Sequence, residues 1–178
     1  KENTRFMYIL PYAKNEALFE YTLFSKDILP YEDYKLEIEK YLEEGNITDY
    51  EIVEKEQGSI PMTCYKFWKH NSKNIINIGT AGGWSKASTG FTFKNTTRKT
   101  AKLITHIKQY KPLTEFHKID KFWFYDLLLL DILSKKNHLG ASIFAKMFQK
   151  NHPKKILKFL DEETSLLEDL PIELKMPP

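Results

Sequence analysis

Four of the chain's seven glycines, Gly79, Gly82, Gly83 and Gly90, fall in one stretch, INIGTAGGWSKASTGFTF (76–93). Glycine reaches backbone conformations closed to other residues and lets a main chain approach a ligand closely. The run before it, NIINIG (74–79), reads as a short strand of the buried type. A helix is predicted to follow from about Ser88 to Tyr110, and Ser88 or Thr89 can cap it. Phe91, Lys94, Asn95, Arg98 and Lys102 are spaced to form its solvent or ligand face. A helix start offers unpaired N–H groups and the positive end of a dipole, which suit a phosphate or an anionic ring. The pattern is not G-x-G-x-x-G, and a purely structural strand–loop–helix corner also satisfies it.

A second constraint lies near the start. RFMYIL (5–10) reads as a strand closed by Pro11, PYAKNEA as a turn, and LFEYTLFS (18–25) as the return strand, so the two form a hairpin. At period two, Leu18, Glu20, Thr22 and Phe24 share one face of the second strand, and Phe19, Tyr21 and Leu23 share the other. Both faces are largely apolar, and an ionised carboxylate there is costly to bury. Glu20 is therefore either an edge carboxylate facing solvent, or paired with Lys14 or Arg5, or a carboxyl held among apolar groups for a purpose.

After Pro30 a helical stripe of Leu36, Ile38, Tyr41 and Leu42 points to a helix that stops at Gly45. YEIVEKEQGSIPMT (50–63) alternates and then bends, as a strand and a turn would. Beyond Pro112 helices are expected over 120–136, 140–149 and 152–161. The longest apolar run, FWFYDLLLLDIL (122–133), is broken by Asp126 and Asp131 and falls short of the roughly 20 residues a membrane span needs.

Composition limits the function classes. The 178 residues are 42% apolar and 29% charged, as in a globular protein, and the 14% aromatic share suits a large core or an apolar binding surface. A net charge of +3 is too small to imply nucleic acid. The lone Cys64 forms no internal disulfide and reads as a small buried hydrophobe, compatible with a reducing compartment. Five histidines without HxxxH or HExxH spacing argue against a metal site.

Taken in order, FMYILPYAKNEALFEYTLFS, GSIPMT, NIGTAGGWSKASTGFTF, KFWFYDLLLLDIL and ILKFLDEETSLLEDL resemble the flavin-dependent lycopene β-cyclases, closest to the bacterial-type carotenoid cyclases. The resemblance covers nearly the whole chain but only the C-terminal half or so of a family member. It implies an α+β or α/β fold, the C-terminal part of an FAD-dependent hydroxylase-like flavoprotein. Residues 1–73 would belong to a substrate domain with antiparallel strands, 74–111 to the returning strand–loop–helix of the FAD domain, and 112–178 to a helical tail. The family's opening strand with its G-x-G-x-x-G turn is not in this sequence. With the Lys1 start and the abrupt KMPP end, that leads us to expect a fragment, inactive alone.

The resemblance further implies that LFEYT occupies the family's essential acidic motif. Glu20 matches its first acid, while Tyr21 stands where a second is often found. IGTAGG matches a flavin-contact region, with Thr80 where related hydroxylases carry Asp, and STGFTF matches the helix that starts under the flavin ring. The implied site is Glu20 as catalytic acid, with Gly79, Thr80, Ala81, Gly82, Gly83, Ser88, Thr89 and Gly90 holding reduced FAD and NADPH as its reductant. The implied reaction is ring closure at the linear ends of lycopene, started by a proton and without net redox change. A general acid must carry its proton near neutral pH, and an ordinary glutamate, with a pKa of about 4.3, does not. Burial among Phe19 and Phe24 would correct that. Trp84, Phe91, Tyr21 and Trp68 are candidates to face a cation or to be plain core. Lys146, Lys150, Lys154, Lys155 and Lys158 could meet anionic headgroups or simply be solvated; with the resemblance, a cytoplasmic enzyme peripherally associated with the membrane is expected. The competing readings are another FAD enzyme acting on an isoprenoid, such as a monooxygenase or polyprenyl reductase, and a non-catalytic lipid-binding module.

Overall fold

A computed structural model describes residues 3–173; the Lys1 start and the KMPP end lie outside them. The described residues hold a two-stranded antiparallel sheet and six α-helices, a mixed α+β content. The chain divides into two compact units, Lys1–Ser59 with Lys136–Ser142, and Ile60–Lys135 with Ile143–Pro178.

The first unit is built on the expected hairpin, β1 (Arg5–Ala13) and β2 (Glu16–Leu23). β1 runs through Pro11 rather than ending there. A two-stranded ribbon is all edge, and an irregularity between Pro11 and Ala13 accommodates the missing N–H. Pairing of Phe6 with Thr22, Tyr8 with Glu20 and Leu10 with Leu18 puts these six side chains on one face. Met7, Ile9, Phe19 and Tyr21 take the other face. There α1 (Tyr31–Glu44) sets Tyr41 against Phe19, ring centroids 6.4 Å apart, and Tyr34 against Tyr21 at 6.1 Å. α1 follows Pro30, carries Glu32 and Asp33 in its first turn, and stops at Gly45 as expected. The left-handed residue is the next one, Asn46 (φ 54°), which lets the Ile47 N–H reach the Leu42 carbonyl at 2.8 Å. Asn137 clips the open end of the hairpin. Its Oδ1 accepts from the Thr4 N–H at 2.6 Å, and its Nδ2 donates to the Phe24 carbonyl at 2.9 Å.

The strands expected at 50–63 and 74–79 do not form. Alternation gives a segment two faces but supplies no neighbour for its ladder, and no third strand pairs among the described residues. In the second segment side chains take the backbone donors instead: the Asn77 N–H donates to Asn71 Oδ1 at 2.9 Å and the Ile75 N–H to Ser72 Oγ at 3.2 Å. Ile75 and Ile78 are exposed, so the run is not of the buried type.

The second unit holds α2 (Phe93–Lys108), α3 (Lys121–Lys136), α5 (Pro153–Leu160), α6 (Leu166–Glu173) and most of α4 (Gly140–Lys150). α3, α4 and α5 follow the expected ranges closely. α2 starts at Phe93 rather than Ser88, because the preceding segment closes on itself. The Gly90 N–H reaches the Lys86 carbonyl at 2.8 Å, and Gly90 at φ 75° cannot continue a helix. α6 was not expected, although Ser165-x-x-Glu168 announces it. Glu168 Oε2 accepts from the Ser165 N–H at 2.8 Å and from its hydroxyl at 3.0 Å, a capping arrangement legible in sequence. Phe122, Met147, Ile156, Phe159 and Ile172 form the core, with Tyr125, Phe144 and Leu160 against it.

Candidate functional site

Glu20 lies at the centre of the hairpin face that α1 leaves bare. Its cross-strand partner is Tyr8, with Leu10 and Leu18 on one side and Phe6, Thr22 and Phe24 on the other. The Phe6 and Phe24 rings are 6.2 Å apart. Phe6, Tyr8, Leu10 and Leu18 are each between 38% and 44% exposed, so this is an apolar shelf open to a ligand rather than a closed core. Glu20 itself is exposed. The expected burial among Phe19 and Phe24 is corrected accordingly: Phe19 points to the α1 side, and nothing in this unit covers the other. Neither Lys14 nor Arg5 is its ion-pair partner among the described residues. Arg5 donates to the Tyr21 hydroxyl at 2.9 Å and lies 4.0 Å from Glu37, both on the α1 side. Thr22 Oγ1 donates to Glu20 Oε1 at 2.7 Å.

The eight corner residues lie together in the second unit. Gly79–Gly82 form a 3-10 turn closed by Gly83 in the left-handed region, φ 65°. Gly82, Trp84, Lys86, Ser88 and Gly90 point inward, and the residues between them are half-buried. The glycines serve different needs. A Cβ on Gly82 would lie 2.1 Å from the Asn77 carbonyl oxygen, so that position is closed by the chain itself. Gly83 and Gly90 (φ 75°) need left-handed backbone and lie against Phe67 and Ile60. Gly79 also needs it (φ 59°), yet a Cβ there meets nothing within 4 Å. Beside it Thr80 and Ala81 are exposed, so Gly79–Ala81 is the stretch of backbone a ligand could approach. Thr92, not Ser88 or Thr89, precedes α2, and it makes no side-chain cap bond to the helix. The first-turn N–H groups of α2 are therefore without a side-chain acceptor from the cap residue.

Ser88 is buried for another reason. Its hydroxyl donates to Asp126 Oδ1 at 2.6 Å, and Lys86 Nζ donates to the same oxygen at 2.7 Å. Lys86 Nζ also lies 3.4 Å from Glu162 Oε1, and Arg98 holds Glu162 Oε2 at 2.9 Å. Arg98 donates as well to Asn95 Oδ1 at 2.8 Å and to the Asp161 carbonyl at 2.9 Å. Two cations and two anions thus balance in a largely buried network that ties the corner to α2, α3 and the α5–α6 turn. Of the face expected to meet solvent or ligand, Phe91, Lys94 and Lys102 are exposed, whereas Asn95 is buried and Arg98 is engaged, which corrects those two. Lys86, Asp126 and Glu162 were missing from the sequence-derived site; the one visible signal was an aspartate inside an apolar run.

The aromatic candidates divide. Trp84 is buried with Phe116 at 6.0 Å, Trp68 stacks on His117 at 3.7 Å, and Tyr21 faces α1, while Phe91 keeps an open face. Burial, then the Lys99 charge, holds the His117 imidazole down at about 4. Burial, then the Asp126 charge, raises the Cys64 thiol to about 11, so it stays protonated and unreactive. Among the described residues no group of three or more His, Cys, Asp or Glu could hold a metal ion, and no helix is long and apolar enough to cross a membrane.

A family model described as lycopene cyclase protein matches residues 1–178, the whole chain. No curated protein and no solved structure matches. The match runs from end to end, so the chain belongs to the lycopene cyclase family, enzymes of carotenoid biosynthesis.

Proposed function

We propose that this chain serves a lycopene β-cyclase, an isomerase that closes β-ionone rings at the linear ends of lycopene, with Glu20 as the proton donor. The observation that carries this reading is the apolar shelf with one carboxyl at its centre. A polyene end laid over Phe6, Tyr8, Leu10, Leu18 and Phe24 removes water from Glu20. A carboxyl stripped of water holds its proton more tightly, as a general acid near neutral pH must. The proton leaves Glu20 for a carbon of the terminal double bond, whose π pair forms the new C–H bond and leaves a cation on the neighbouring carbon. The π pair of an internal double bond then closes the ring, moving the cation into it. Loss of a second proton from the adjacent carbon forms the ring double bond. One proton enters, one leaves, and no electrons are gained or lost.

The glycine corner suits a flavin of the FAD-dependent hydroxylase type. Gly79–Ala81 offers open main chain, Gly83 and Gly90 hold the turns, and the start of α2 favours negative charge. Gly82 and Ser88 hold this corner in shape from inside. Reduced FAD, regenerated by NADPH, would supply the electron density that stabilises a carbocation. The domain assignment follows the same reading: 1–73 in the substrate domain, 74–111 in the FAD domain and 112–178 as a helical tail. Peripheral attachment to the membrane that dissolves lycopene is supported by exposed Phe124, Leu127, Leu128 and Ile132 on α3 and by exposed Lys146 and Lys154. Lys158 is instead taken up by Glu168 at 2.5 Å.

The test is pigment formation in cells that accumulate red lycopene. The whole protein should turn them yellow-orange, and Glu20→Gln should leave them red at equal protein and flavin content, a loss of about 10²–10⁴-fold. Ring formation by the Gln variant would exclude Glu20 as the acid.

A further inference from the structure

We infer that Thr22 is the positioning residue of the proton-donating carboxyl: its hydroxyl holds Glu20 Oε1 and leaves Oε2 to carry and deliver the proton. This rests on the cyclase reading of Glu20 and deepens it.

Among the described residues Thr22 is the hydrogen-bond partner of the Glu20 carboxyl, at 2.7 Å from Oγ1 to Oε1. The two residues are two apart on one strand, so their side chains rise from the same face. Thr22 is fixed at both levels. Its backbone is paired with Phe6 in the ladder, and its β-branched side chain is stiff at χ1. Phe6 and Phe24, whose rings lie 6.2 Å apart, leave the hydroxyl few other partners once a hydrocarbon covers the shelf. A neutral carboxyl has one carbonyl oxygen and one hydroxyl oxygen. A donor on Oε1 selects Oε1 as the carbonyl and Oε2 as the O–H, which fixes the direction of delivery. When the proton has left for carbon, the same bond stabilises the carboxylate that remains. Thr22 therefore orients the acid beforehand and supports its conjugate base afterwards, without touching the substrate's reacting carbon.

The ionisable groups around Glu20 are few. Tyr8 lies opposite on β1, Glu16 and Lys14 stand at the turn end, and Arg5, Glu37 and Lys40 line the α1 side of the ribbon. None of these is a hydrogen-bond or ion-pair partner of Glu20 among the described residues, so Thr22 is the local control on its proton.

The experiment compares Thr22→Val, Thr22→Ser and Glu20→Gln in the whole, flavin-loaded protein, measuring turnover against pH and thermal stability. A hydrogen bond to a charged group is worth about 1.5–3 kcal/mol, so Val should cost roughly 10–100-fold in turnover at neutral pH. It should also move the alkaline limb of the profile to higher pH, because the carboxylate loses a stabilising donor. Ser, which keeps the hydroxyl, should restore the limb and most of the rate. A purely structural role would lower activity at every pH and leave the limb in place. If Val distorts the strand, Thr22→Ala provides the same comparison. Unchanged turnover and limb in Val or Ala, with Gln inactive, overturns the assignment of Thr22 and leaves the cyclase reading standing. An active Gln variant overturns both.

Discussion

Two of the carboxylates that interrupt apolar sequence in this chain meet opposite fates. Asp126, inside FWFYDLLLL, is buried, with a lysine and a serine on one oxygen. Glu20, inside LFEYT, stays exposed on an apolar shelf with a single threonine hydroxyl. Asp126 finds a cation and a hydroxyl within its own fold, both on Oδ1. Glu20 has one hydroxyl on Oε1 and apolar neighbours that leave it open on that face. The contrast shows that a charge in an apolar run is buried only where the fold brings it charged and polar partners, and otherwise stays at the surface.

The sharpest way to break the contrast is to remove each charge. Asp126→Asn should cost about 3 kcal/mol in denaturant unfolding, because the buried Lys86 then keeps only Glu162, 3.4 Å away, as an anionic partner. Lys86→Met with Asp126→Leu should regain much of this, though not all, since Ser88 loses its acceptor. Glu20→Gln, on an exposed face, should change stability by less than about 0.5 kcal/mol while abolishing cyclisation. Equal stability losses at the two sites would dissolve the distinction.

A second comparison lies within the glycine corner. Gly82→Ala forces a methyl onto the Asn77 backbone and should cost about 1–3 kcal/mol or more. Gly79→Ala meets open space and should cost only the left-handed strain, about 1–2 kcal/mol. Its larger effect should fall on flavin affinity, read by fluorescence titration. A Gly79 variant with full affinity would mark the turn as purely structural.

A third test uses pH. The His117 imidazole sits at about 4 in the fold against an ordinary 6.5, so the unfolded chain binds the extra proton. Its contribution is fully present above about 6.5 and is lost as pH falls towards about 4. Unfolding midpoints measured from pH 7 down to pH 4 should fall less steeply in His117→Gln than in the natural chain. Parallel curves would remove His117 as the cause.

The smallest effect is expected at Asp131, the other acid of the same apolar run. It faces solvent and pairs with Lys135 four residues on, at 2.7 Å. Asp131→Asn should change stability by no more than about 0.5 kcal/mol, as exposed pairs do. A cost near that of Asp126 would show that acidic breaks in this helix matter regardless of burial.

Much of the architecture was legible locally. The hairpin, the α1 stop and the ranges of α3 to α5 follow from alternation, prolines, glycines and apolar spacing, each acting over a few residues. α6 was legible too, in Ser165 and Glu168, and was missed because its apolar pattern is short. The strands at 50–63 and 74–79 were misread because alternation is necessary for a ladder but does not provide one. At the candidate site Glu20 and the glycine corner stood out by residue type, whereas Lys86 and Glu162 did not, since nothing near them in sequence marks them as buried.

The sequence by itself determined which residues share a face, where the backbone must turn left-handed, and that Glu20 sits amid apolar neighbours, since these depend on short-range geometry. Only the tertiary structure decided which hairpin face α1 covers and that Asp126 is paired with Lys86, 40 residues away. Periodicity defines a face but not its cover, and whether a buried charge is tolerable depends on a partner that only the folded chain brings to it.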